Sequence, residues 1–405
     1  SDPDFVAECG LAYMRGAKEC GSAVSIKHFP GDGVDEVDQH ILISVNSLSC
    51  EEWDETYGKV YKKLIDADAP TVMVGHLAMP AYQKHFNPDH PDKLIPATLS
   101  PELLKNLLRE KLGFNGMIIT DATPMVGFLS AMDRKKSVPY CIEAGCDMIL
   151  FNKVYEEDLE FMKEGYQNGI LSKERLDEAV TRILALKAAM KLPEKKEKGT
   201  LIPGKEAQKI IGCAEHKKWA KSCAENAVTL VKDTQNLLPI SPEKHHRVLF
   251  EIMGKCPSEE RVAERFINDM EREGFEMIRY EEEVFDFSKP MRFETVEEFR
   301  SKYDLVIYIG NVENASNKTT NRLNWHAPYG AGNNIPWFVE VVPALFISLQ
   351  NPYHLLDVPM VKTYINAYSN HNEMIDTVVE KILGKSEFAG KSPVDPFCGK
   401  EYLAY

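Results

Sequence analysis

At 405 residues and 44% hydrophobic, the chain can bury a large core and is long enough for two domains. A formal charge of −14 with no compensating basic run argues against a nucleic-acid partner. No apolar run approaches the roughly 18 residues of a membrane span, and nine cysteines without C-x-x-C spacing favour reduced thiols and a cytoplasmic setting.

Asp2 and Pro3 read as the N-cap and first position of a helix over 2–20, with Phe5, Val6, Cys9, Tyr13, Met14 and Ala17 on its inner side. The chain thus opens inside an element, and missing leader features carry no information. A strand over 23–28 comes next. Ser49 and Glu52 form a capping box for a helix carrying Trp53, Tyr57, Val60, Tyr61 and Leu64. Thr71 to Gly75 is a buried strand ending at His76. Ser100 and Pro101 start a helix with Leu103, Leu104, Leu107 and Leu108 inward and Gly113 as its stop. Met117 to Thr120 is a strand delivering Asp121; a helix over 134–144, a strand over 147–151 and a helix capped by Ser172, with Leu176, Val180, Ile183 and Leu184, complete the region.

Strands alternating with helices imply a parallel sheet. A (β/α)8 barrel takes eight strands and about 250 residues, and residues 1–190 hold about half of each. The charged, punctuated stretch 191–205 reads as a linker. Residues 206–405 form a second α/β unit: a helix over 206–226, the run from Val228, strands over 247–253, 304–310, 342–348 and 361–366, and helices over 257–273 and 372–384. Tyr329 to Asn334 lacks the strand–helix context of a phosphate loop and reads as a surface turn. Trp53, Trp219 and Trp337 sit in patterns that predict burial, whereas Trp325 falls in a polar loop and is a candidate wall of a substrate site.

The chemistry concentrates in Lys27-His28-Phe29-Pro30-Gly31-Asp32-Gly33, followed by Asp38 and His40. Strand ends and the loops after them carry the working groups of α/β enzymes, and this loop is rich in carboxylates and poor in anchors. Asp121 directly follows a buried run and could serve as a nucleophile or as a helix N-cap. Asp38 and His40 could be an oriented acid/base pair or two solvated loop residues. Lys27 and His28 could bind substrate, or be an ion-paired lysine and a core histidine. His76 could contact substrate or support the site from behind. No spacing supports metal ligation by the three histidines.

KHFPGDGxxxxDxH resembles the signature of glycoside hydrolase family 3, in its β-N-acetylglucosaminidase branch, and Gly113 to Ala122 resembles the nucleophile segment of that family. Asn351-Pro352-Tyr353 and the run from Gly384 to Pro393 resemble its second domain. The resemblance implies an α/β fold: the C-terminal half of a (β/α)8 (TIM) barrel followed by an α/β sandwich domain. Half a barrel leaves two bare strand edges, so an upstream segment or a second chain is expected to complete it.

The resemblance also implies a retaining, exo-acting β-N-acetylglucosaminidase acting on terminal β-linked GlcNAc, as in peptidoglycan fragments. Asp121 would be the nucleophile and His40, on a mobile loop, the acid/base assisted by Asp38; Lys27 and His28 would bind the sugar, with His76 lining the site. No metal or organic cofactor is implied, and the partner is a carbohydrate, with neither nucleic acid nor membrane. Two alternatives stand beside this reading. One is a β-N-acetylglucosaminide or β-glucoside phosphorylase on the same scaffold, because a histidine acid/base does not repel phosphate as a carboxylate would. The other is a non-catalytic carbohydrate-binding protein, should nothing supply the missing half-barrel.

Overall fold

A computed structural model describes residues 2–254, 256–281, 294–323, 325 and 335–405, so the turn at 329–334 lies outside the described residues. The chain divides into two compact units: Ser1–Pro203 with Ser316–Thr320, and Gly204–Ala315 with Asn321–Tyr405.

In the first unit the strands are β1 (Ser25–Phe29), β2 (Ser44–Val45), β3 (Thr71–Val74), β4 (Leu77–Ala78), β5 (Met117–Ala122) and β6 (Met148–Leu150). β1, β3, β5 and β6 form one parallel sheet in that order, with Thr71 beside both Ser25 and Met117. This is half of a (β/α)8 barrel, joined in the chain by an α/β sandwich unit. Among the described residues, β1 and β6 each pair on one side only.

Helices cover the sheet because their apolar faces recur at three–four spacing. Leu103, Leu104, Leu107 and Leu108 of the π-wound segment Glu102–Lys111 are all fully buried, each contributing about 1.5–3 kcal/mol. The capping box closes as its spacing predicts: Glu52 N–H donates to Ser49 Oγ at 3.2 Å, and Ser49 N–H to Glu52 Oε2 at 2.9 Å. The helix it opens buries Trp53, whose ring meets Phe29 and Tyr82 edge-on. Trp53 Nε1–H donates to the Pro30 carbonyl at 2.7 Å and so pins the start of the loop after β1.

At the opposite end of the strands, Asp147 is almost fully buried beside three guanidiniums. Arg175 and Arg109 donate to its two oxygens at 2.5 and 2.7 Å, and Arg182 lies 3.6 Å away. Ile118 N–H adds a bond at 2.8 Å, which ties β5 to β6. Burial pushes Arg109 down to about 10, with Asp147 only partly offsetting the loss of water.

Some sequence expectations need correction. Helix Pro3–Glu19 buries Ala7 and Met14, while Phe5, Val6 and Tyr13 are exposed. Val180 and Leu184 on helix Lys173–Ala189 are also exposed. Periodicity finds an apolar stripe, but only tertiary packing decides which part of it is covered. Trp219 and Trp337 are likewise exposed, at 58% and 42%, against the burial expected for them.

The second unit holds β7 (Thr229–Asp233), β8 (Arg247–Met253), β9 (Glu276–Arg279), β10 (Leu305–Gly310), β11 (Ala344–Ser348) and β12 (Thr363–Asn366), in the order β7-β12-β11-β10-β8-β9. All pairings are parallel except β7 with β12. Every residue of β10 and β11 is buried, as expected of central strands covered on both faces. Edge strand β9 escaped the sequence reading because its ends are charged and exposed. No described helix is long and apolar enough to cross a membrane.

Candidate active site

The sheet of the first unit brings its candidate groups to one end. β1 carries Lys27 and His28, β5 carries Asp121, and His76 follows β3. His28 Nε2 lies 3.5 Å from Asp121 Oδ2, and its Nδ1 lies 4.0 Å from Asp32 Oδ2. Asp121 is 14% exposed, and its Oδ1 accepts the Ala122 N–H at 2.7 Å. One oxygen is thereby fixed, and the other faces His28. The His28 imidazole sits below its ordinary range chiefly because burial strips its water; the Asp121 charge works against this but does not cancel it. Lys27 is exposed, with no carboxylate at ion-pair distance among the described residues.

Asp38 and His40 form the close pair that D-x-H spacing permits. His40 Nδ1 lies 2.7 Å from Asp38 Oδ1, which also accepts the His40 N–H at 2.9 Å. An ionised carboxylate only accepts, so the proton sits on Nδ1 and leaves Nε2 for other work. Asn317 N–H, in the segment grouped with the same unit, donates to Asp38 Oδ2 at 2.6 Å. Burial alone would raise the Asp38 carboxyl, but these hydrogen bonds outweigh it and hold the group below its usual value. His40 lies close enough to depress both His28 and His76 electrostatically, which puts it in the same cluster.

The loop between β1 and β2 is docked in this structure. Its His40 and Gln39 carbonyls accept from Val126 N–H and Gly127 N–H, each at 3.1 Å. Asp35 Oδ2 accepts from Val45 N–H at 3.2 Å, and Tyr57 donates to the Asp32 carbonyl at 2.9 Å. The resemblance implies a mobile loop; the anchors were not legible because most are backbone groups.

His76 departs from the substrate-contact expectation. Its side chain is fully buried, and both ring nitrogens are engaged: Nε2 with the Ala122 carbonyl at 2.9 Å and Nδ1 with Thr98 Oγ1 at 3.1 Å. A carbonyl can only accept, so Nε2 carries the proton and Nδ1 accepts from Thr98. Burial drives the imidazole down to about 4, and it is neutral here. His76 thus braces the backbone next to Asp121 from behind. Trp325, in the second unit, meets Tyr308 edge-on at 5.8 Å and donates to the Asp357 carbonyl at 3.3 Å.

Sequence reasoning missed Asp32, Gln39 and Thr98 as individual contributors. Asp32 stands in the motif, but polar residues in a polar loop show no period that would separate anchors from solvated neighbours.

A carboxylate beside a strand-end histidine, with an aspartate-oriented imidazole nearby, is an arrangement suited to glycosyl transfer through acid/base and nucleophilic chemistry. The comparisons agree. Residues 1–186 match the "Glycosyl hydrolase family 3 N terminal domain". The chain is 42% identical to a β-N-acetylglucosaminidase/β-glucosidase of Cellulomonas fimi, over 99% of this chain and 71% of that protein. A β-hexosaminidase A of Pseudoalteromonas piscicida is 26% identical over 59% of this chain and 41% of its own length. Among solved structures, a β-glucoside phosphorylase, BglX, superposes with a TM-score of 0.91 at 42% identity, covering all of this chain and 71% of that one. A family 3 β-N-acetylglucosaminidase from Paenibacillus sp. FPU-7 shares the fold, with a TM-score of 0.73 at 20% identity over 96% of this chain and 70% of that one. The chain is that of a glycoside hydrolase. It belongs to glycosyl hydrolase family 3.

Proposed function

We propose that this enzyme cleaves terminal β-linked N-acetylglucosaminides by double displacement. Asp121 attacks C1 while the imidazolium of His40 protonates the leaving oxygen from Nε2; the C1–O bond breaks and a glycosyl ester forms. Water then attacks C1, gives its proton to Nε2, and releases Asp121. Asp38 positions the imidazole and fixes its tautomer. Lys27 and His28 bind the hydroxyls of the sugar. The single observation that carries the reading is the 2.7 Å His40–Asp38 contact, which frees Nε2 in the same electrostatic cluster as His28 and Asp121.

A second reading changes only the acceptor: inorganic phosphate discharges the ester and leaves as sugar 1-phosphate. It is favoured by the TM-score of 0.91 to a β-glucoside phosphorylase. A neutral imidazole, unlike a carboxylate, also adds no negative charge against the incoming anion.

The experiment is turnover of 4-nitrophenyl β-GlcNAc and β-glucoside by the full-length protein, in phosphate and in phosphate-free buffer. Free sugar in both buffers supports hydrolysis, and sugar 1-phosphate in the first supports phosphorolysis. Asp121→Ala should abolish turnover. His40→Ala should hurt poor leaving groups far more than activated ones, and equal losses on both would remove the acid role. No turnover of either sugar in either buffer would favour the carbohydrate-binding alternative.

A further inference from the structure

Gln39, the residue between Asp38 and His40, is nearly fully buried although it sits in a polar loop. Its side chain is satisfied at both ends. Oε1 accepts the backbone N–H of His76 at 2.7 Å, and Nε2–H donates to Asp32 Oδ2 at 3.0 Å. Its carbonyl accepts Gly127 N–H at 3.1 Å. The seat is shaped for it: a Cβ on Gly75 would fall 2.9 Å from Gln39 Oε1, and one on Gly127 would fall 2.8 Å from the Gln39 carbonyl oxygen.

The three elements it joins are the ones that carry the chemistry. His76 braces the Ala122 carbonyl beside Asp121, and Asp32 faces His28. On either side of Gln39, along the backbone, are Asp38 and His40. We propose that Gln39 is the positioning residue of the acid/base: a buried amide that fastens the Asp38–His40 turn to the strand ends holding Asp121 and His28. This rests on the proposed role of His40 as proton donor. The chemistry demands an amide, because one end must accept from a peptide N–H while the other donates to a carboxylate. A methionine fills the volume and does neither. A glutamate accepts at both ends and sets two carboxylates against each other.

The test uses Gln39→Met, Gln39→Glu and the pair Asp32→Asn with Gln39→Glu, which reverses the polarity of the side-chain bond and restores it. Each is assayed on a 4-nitrophenyl glycoside and on a glycoside with a poor leaving group, beside His40→Ala. Because the acid contributes least where the leaving group needs no proton, Gln39→Met should lower kcat/KM about 100-fold on the poor leaving group and less than about tenfold on the activated one. The double variant should recover roughly tenfold over Gln39→Glu. Native-state proteolysis within residues 31–43 should rise in Gln39→Met and fall back in the double variant.

Equal losses on the two substrates with unchanged proteolysis, or no recovery in the double variant, would overturn the proposal. If His40→Ala itself shows no leaving-group dependence, the acid assignment fails, and the proteolysis arm alone then decides whether Gln39 fastens the loop.

Discussion

Acidification should weaken the first unit through one imidazole. His76 is fully buried and neutral, with burial driving it down to about 4 from an unfolded value of 6.5; the Ala122 carbonyl and the Asp121 charge only partly offset that. Between those values the unfolded chain binds a proton that the native state refuses, so stability falls as pH falls. The contribution is complete above pH 6.5 and is lost progressively as pH drops through about 4. A gap of about two and a half pH units, at about 1.4 kcal/mol each, comes to about 3.5 kcal/mol, of which about 3 is lost by pH 4. Carboxylates titrate in the same window, so the measurement is a difference. Urea unfolding of the wild type and of His76→Gln is followed from pH 7.5 to 4 by hydrogen exchange on β3 and β5. The variant starts less stable, having lost a fitted side chain, but its deficit relative to the wild type should shrink by about 3 kcal/mol across the range. A difference that stays flat with pH would show that the native imidazole takes up its proton as readily as the unfolded one, and would refute the buried, neutral assignment.

Asp147→Asn would leave Arg109, Arg175 and Arg182 facing one another without their shared carboxylate. Removing one partner of a buried charge cluster costs about 3–5 kcal/mol, to be read as a fall in urea midpoint at unchanged slope. Gly31→Ala should damage both stability and turnover. Gly31 has φ +125°, and a Cβ there would fall 2.2 Å from the Tyr57 ring. Gly33→Ala, at φ +102° with nothing nearer than 3.8 Å, should be the milder of the two by Tm and kcat/KM, and equal effects would discount the steric argument.

Much of this protein is legible without coordinates. The capping box at Ser49, the leucines of Glu102–Lys111, the strand that delivers Asp121 and the spacing of Asp38 from His40 all follow from local rules. Those rules are short-ranged: hydrogen-bond geometry within a turn and the periods of helix and strand depend only on near neighbours. The family motif likewise marks its residues in one dimension.

The remainder needed tertiary structure, because it depends on contacts between residues far apart in sequence. Nothing in the pattern around His76 reveals that Thr98 and Ala122 occupy both its ring nitrogens. Nothing around Gln39 reveals that Asp32 and His76 hold its amide, or that Gly75 and Gly127 leave room for it. Apolar stripes on Pro3–Glu19 and Lys173–Ala189 mark where burial is possible, but which of their residues are covered is a property of the neighbours. Residue type and spacing determine which groups can do the chemistry, and the folded chain decides which of them are brought together, because burial and hydrogen-bond partners exist only once distant segments meet.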